Sequence, residues 1–208
     1  YGLGRFKENE QWPINAKAGE ASGPRGIERF SITSFFVKKL ANFNASYNNT
    51  SYITAAWDFP IIRLADIYLL YAEALNETLD APNDDVYYYV DRVRERAGLK
   101  GVVESWSTYS VQSEKYKTKE GMREIIQQER SIELAFEEHR FWDVRRWGLS
   151  TQEFNGPVQG WYYQGEDDAE FYRVTTVDDV IFTNRDIFWP IRNYDISVNP
   201  NLLQNLGW

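Results

Sequence analysis

Apolar positions recur at helical spacing in three stretches, and these set the architecture. Residues 61–77 read IIRLADIYLLYAEALNE, apolar on most sides, with Arg63, Asp66, Glu73 and Glu77 in one sector about 80° wide. So narrow a polar stripe implies burial on both flanks, and Ala72 and Ala74 let a neighbour come close. Pro60 stands where proline favours a helix start. After the turn LDAPNDD, in which Asn83 or Asp84 can cap, Val86, Val90, Val93 and Ala97 mark one face of a helix over 85–97. Gly98 ends it, and Leu99 can close an apolar contact. The short turn makes these two an antiparallel pair. The third stretch, 118–147, predicts a long helix kinked near Glu138–His139, with Met122, Ile125, Ile126, Ile132 and Phe136 on its apolar face.

That third stripe also contains Glu129, near its centre, and Glu133, at its edge. A carboxylate among apolar side chains is costly unless a cation meets it. The second helix carries Arg92, Arg94 and Arg96, and a salt-bridge network of Arg94 and Arg96 with Glu129 and Glu133 is expected.

Elsewhere the pattern is weaker. Residues 1–27 read as loop with a short strand near Trp12–Ile14, 28–40 as a strand or hairpin arm, and 42–51 as Asn-rich loop. Residues 100–117 form a polar, aromatic excursion too long for a tight connection. Residues 149–179 read as loop, Val180–Phe182 and Ile187–Ile191 as short strands, and the tail as irregular but packed down through Leu202, Leu203, Leu206 and Trp208. The helix pair has the size of a tetratricopeptide-like unit, about 34 residues. The fold class is therefore mainly α, with tetratricopeptide-like helix pairs, long loops and a few short strands, in one domain over 1–208.

Composition narrows the chemistry. Eight Trp, fourteen Tyr and twelve Phe make 16% of the chain, more than a core of this size holds, so some rings face solvent and suit sugars, bases or a protein. Net charge is −8, which argues against nucleic acid and anionic lipid. Cysteine is absent and His139 is the single histidine, which removes Cys nucleophiles and the common zinc sites. No stretch reaches 18 apolar residues. The chain opens at Tyr1 and its one Met lies inside a helix, so it is expected to be a processed or engineered product or a C-terminal fragment.

No catalytic set emerges: there is no G-x-S-x-G, Walker A or G-x-G-x-x-G, and His139 lies between Glu138 and Arg140 as a structural residue. Glu129 and Glu133 read as ion-pair partners rather than an acid–base pair, and 166–168 as a solvated acidic loop rather than a calcium site. No cofactor or metal is expected. Trp12, Trp106, Tyr109, Trp161, Tyr162 and Tyr163 are the candidate ligand-binding residues; each reads either as an exposed platform or as core packing.

Several phrases together resemble the C-terminal region of the SusD/RagB family of outer-membrane nutrient-binding lipoproteins of Bacteroidetes: SFFVKKL, PIIRLADIYLLYAEALNE, VDRVRERAGL, ERSIELAFEEHRFWDVRRWG and FWPIRNYDISVNPNLLQNLGW. They span roughly residues 30–208 in matching order. The sequence departs where the family usually has Gly, at Glu138, and where it often has Pro, at Arg192 and Leu206. The resemblance implies a non-enzymatic surface protein that captures glycan or oligosaccharide for polysaccharide utilization and nutrient uptake. It implies a SusC-like TonB-dependent transporter as partner and an N-terminal lipid, outside this chain, as the membrane attachment. The alternative is a helical-repeat scaffold that binds only proteins.

Overall fold

In the computed structural model, the described residues are 3–7, 10–13, 15–20, 22–25, 30–37, 39, 46–48, 51–53 and 60–208, with backbone alone for the strands before residue 54. They form two compact units, one of residues 58–142 and one of 1–57 with 143–208. The fold is mainly helical, with eight α-helices among the described residues and three two-stranded antiparallel sheets.

Residues 58–142 are built on three helices: α1 (Leu64–Thr78), α2 (Asp84–Arg96) and α4 (Lys119–Glu133). Tyr68 and Tyr71 of α1 both meet Tyr89 of α2 across the turn, so the pair is antiparallel. Leu69 and Ala72 of α1, Val86, Val90 and Val93 of α2, and Met122, Ile125 and Ile126 of α4 fill one core. Helix α1 starts three residues later than expected, with Arg63 as its N-cap. The end of α2 uses Gly98 at φ +75, with Leu99 N–H bonded to the Arg94 carbonyl and Gly98 N–H to that of Glu95. Leu99 itself is exposed, so backbone bonds and not an apolar clasp close this helix.

The polar stripe of α1 is a seam with α4. Arg123 is paired with Glu77, Arg130 with Asp66, and Glu137 with Arg63, one partner for every seven residues along the later segment. Asn76, buried, donates to the Lys119 carbonyl at 3.0 Å in the same seam. Arg123 holds the Glu77 carboxyl below its usual range. Side chains that a helical wheel assigns to water here face complementary charges on a second helix.

The expected single helix over 118–147 is two. After α4 the chain turns through Phe136 (φ +63) and Glu138 (φ +66) before α5 (His139–Arg146). Leaving helical geometry swings Phe136 off the apolar face; it is 67% exposed and Ile132 65%, so both expected core positions are corrected. Glu138 stands in the left-handed region, where a Cβ is disfavoured and glycine is not. That accounts for the glycine of related phrases. Glu138→Gly is expected to raise the unfolding free energy by about 0.5–1 kcal/mol in urea titration.

The excursion 100–117 is also ordered. It holds helix α3 (Val102–Tyr109) and a 3₁₀ turn at Lys115–Lys117. Asp91 fixes the start of α3 by accepting from Val102 N–H at 2.7 Å, and burial is the main cause that raises its carboxyl above the usual range. Polar composition misled here because the partners of α3 come from α2, not from itself.

In the other unit, β1 (Leu3–Lys7) pairs with β2 (Glu10–Pro13) and β3 (Ser46–Asn48) with β4 (Ser51–Ile53), two hairpins where mostly loop was expected. The expected strand over 28–40 is absent from residues 30–37, which form turns about Ser34 at φ +61; Glu28, Arg29, Lys38 and Leu40 lie outside the described residues. The loop expected over 149–179 contains helix α6 (Ser150–Glu153), strand β5 (Gly156–Trp161), helix α7 (Asp168–Phe171) and strand β6 (Val174–Val180). Residues 184–187 are 3₁₀, and no strand occupies 181–191. The tail holds helix α8 (Asn193–Val198), but Leu203 and Leu206 are exposed. The tail is held mainly by polar contacts: Gln204 bonds the Ile191 backbone, Asn205 the Trp189 carbonyl, and the Trp208 indole N–H the Phe188 carbonyl at 2.8 Å, with Arg185 4.2 Å from its ring, while Leu202 is half-buried.

Candidate functional site

Three of the six candidate ligand residues, Trp161, Tyr162 and Tyr163, stand in succession at the end of β5, each with its own ring or cation neighbour. Gly160 makes this arrangement possible. A Cβ there would lie 2.5 Å from Thr33 Cα, so only glycine lets the 30–37 segment lie against the strand, where the Thr33 carbonyl accepts from Trp161 N–H at 3.1 Å. This contact brings Phe35 to 6.3 Å and Tyr172 to 5.6 Å from the Trp161 ring, the latter edge-on. Tyr163 stacks on Phe30 at 5.2 Å, and Tyr162 carries the Arg173 guanidinium 4.5 Å from its ring centre. Trp161, Tyr162 and Tyr163 are half-buried, Phe35 and Tyr172 exposed. Gly160→Ala is expected to cost roughly 1–3 kcal/mol by urea denaturation, because backbone and not a flexible side chain must give way.

The acidic run has structural work. Asp167 caps α7 by accepting from Glu170 N–H at 2.9 Å, and Asp168 pairs with Lys17 at 2.5 Å. No group of three or more acids and histidines with metal-site geometry occurs among the described residues.

Trp106 and Tyr109 belong to the other unit, on α3. Trp106 packs against the helical core with the Lys115 ammonium 5.2 Å from its ring, while Tyr109 is exposed beside Lys100. The backbone of Trp12 pairs with Gly4 in the first hairpin; its side chain lies outside the described residues. Sequence reasoning passed over Phe35, read as a strand residue, and Tyr172; the glycine at 160 beside an aromatic run was the signal available.

The Arg94–Glu129 and Arg96–Glu133 ion pairs join α2 to α4. Arg94 is the hub: it also donates to the Lys100 carbonyl and to Ser105 Oγ, both at 2.8 Å. Burial pushes the Glu129 carboxyl above its usual range and Arg94 offsets this only in part.

One unit is a tetratricopeptide-like helical core, and the other carries aromatic rings at the end of a hairpin. The chain belongs to the SusD family, whose model matches residues 6–208. SusD-like protein P2 of Formosa agariphila is 34% identical over 166 residues, 80% of this chain and 27% of that protein. SusD-like protein P38 of the same organism is 28% identical over 209 residues, 98% of this chain and 35% of that protein. Among solved structures, a SusD-like protein from Bacteroides fragilis NCTC 9343 superposes with a TM-score of 0.57 at 34% identity, over 71% of this chain and 25% of that one. BT4246 gives a TM-score of 0.72 at 27% identity, over 86% and 30%. The chain thus spans about a quarter to a third of the length of these relatives. Proteins of this family are binding proteins with a role in glycan-linked nutrient uptake.

Proposed function

We propose that this chain is part of a surface glycan-binding protein of the outer membrane that captures oligosaccharides for a SusC-like TonB-dependent transporter, with no catalytic role. Family membership over nearly the whole chain carries this reading. The aromatic cluster at Trp161 supports it, since half-exposed rings present apolar faces to pyranose rings. No helix among the described residues is long and apolar enough to cross a membrane. Affinity electrophoresis on a polysaccharide panel tests the reading. Trp161→Ala is expected to weaken retardation by at least about tenfold, and Trp12→Ala, in the first hairpin, is a second probe. Absence of retardation on every glycan, together with no co-purifying transporter, rejects it.

A scaffold binding only proteins is the competing reading. The exposed row Ile61, Leu64, Ile67 and Leu70 on and before α1 favours it, because an apolar row of this size suits a protein partner. Capture of a transporter without measurable glycan binding would select it.

A further inference from the structure

The register of the β5–β6 hairpin sorts its side chains into two faces. Trp161 is paired with Val174, Gly160 with Thr175 and Gln159 with Thr176. Directly opposed residues of an antiparallel pair project to the same side, and successive residues alternate. One face therefore carries Gly160 and Thr175, and the other Trp161, Val174, Gln159 and Thr176. Burial tells which is which. Gly160 is buried against Thr33 and Thr175 half-buried, whereas Gln159, Val174 and Thr176 are exposed. The Trp161 ring thus stands on the outward face, with an amide and a hydroxyl placed directly opposite each other one side-chain repeat away, about 6.8 Å along the strand.

That face is uncharged around the ring. Beyond the irregularity between Val158 and Gln159, the next pair on this face is Pro157 with Asp179, an acid. Neither strand contains a Lys or Arg, and the cation nearest in sequence, Arg173, lies over the Tyr162 ring, 4.5 Å from its centre. A ligand with carboxylates or sulfates would find no counter-charge on either strand, while neutral hydroxyls find one donor–acceptor amide and one hydroxyl. Among the described residues, neither the Gln159 nor the Thr176 side chain makes a hydrogen bond.

Resting on the glycan-binding reading above, we infer that the outward face of this hairpin contacts an uncharged glycan: Trp161 stacks on a sugar ring, and Gln159 and Thr176 hydrogen-bond the hydroxyls of the adjoining unit. The test uses the 208-residue chain against soluble starch, mannan and arabinoxylan as neutral probes and polygalacturonate and alginate as acidic ones. Binding is expected on a neutral probe, with Gln159→Ala and Thr176→Val each lowering affinity roughly fivefold and the circular dichroism spectrum unchanged. Loss of binding in Trp161→Ala with both polar variants unaffected overturns the assignment of Gln159 and Thr176 and leaves the glycan reading standing. Retention of the acidic polymers in preference to the neutral ones overturns the uncharged class. No retention of any polymer by the unaltered chain overturns this inference together with the reading beneath it.

Discussion

Arg130→Ala is expected to lower the unfolding free energy by about 3–5 kcal/mol, the largest effect of any substitution proposed for this chain. Arg130 is 2% exposed, and its guanidinium donates to Asp66 Oδ1 at 2.9 Å. Asp66 is buried as well, so truncating the arginine strands a carboxylate between two helices that exclude water. The aspartate cannot move out, because Ala65 and Leu69 on either side of it are locked in the core. Replacing both partners by apolar residues, Asp66→Leu with Arg130→Met, is expected to recover most of the loss, since a buried ion pair is worth little more than a well-packed apolar pair. Urea titration of the two single variants and the double variant measures the coupling. Losses that simply add would show that the two side chains do not depend on each other.

The second large effect is expected at Arg94. It ties Glu129, Ser105 and the Lys100 carbonyl together, so Arg94→Ala removes three contacts at one stroke and is expected to cost about 2–4 kcal/mol near neutral pH. Glu129→Gln should cost far less, because the glutamate already suffers from burial and the amide still accepts from Arg94. The pH dependence has a definite sign. The folded-state pKa of Glu129 is raised, so its favourable contribution is complete below the unfolded value and is lost as pH rises through the folded one. Without Arg94 the folded value rises further. The deficit of Arg94→Ala relative to the unaltered protein should therefore be larger at about pH 7 than at about pH 4. A deficit independent of pH would mean that Glu129 does not feel this arginine.

The helices were readable from spacing because their apolar positions are set by the shared core of Leu69, Val90 and Ile126. What spacing cannot supply is the other side of each contact. Asp66 and Arg130 read as water-facing charges on separate helices, and only packing shows that they neutralise each other. Phe136 reads as core because nothing in periodicity announces that a glutamate at 138 adopts a left-handed backbone, and the departure from glycine there was the clue; Ile132 is still inside α4 but lies beyond the residues that fill the core. Strands of the hairpins escaped notice for a related reason. Thr175 and Gln159 differ in burial through a segment more than 120 residues earlier in sequence, to which Gly160 alone gives access. The aromatic run at 161–163 was visible, whereas its neighbours Phe35 and Tyr172 were not, since proximity between them is made by tertiary contact.

The seam between α1 and α4 also constrains how this chain can change length. Its three ion pairs recur with a seven-residue interval along the later segment, so an inserted residue between Arg123 and Arg130 would rotate every later partner by about 100° and break the pairs beyond it together. Unlike residues 97–101, where Gly98 caps α2 and the Lys100 carbonyl accepts from Arg94, the turn around residues 110–114 carries no such obligation. Insertions and deletions among relatives should collect there and spare α4, which makes the helix a fixed ruler against which diverging sequences of this kind can be aligned.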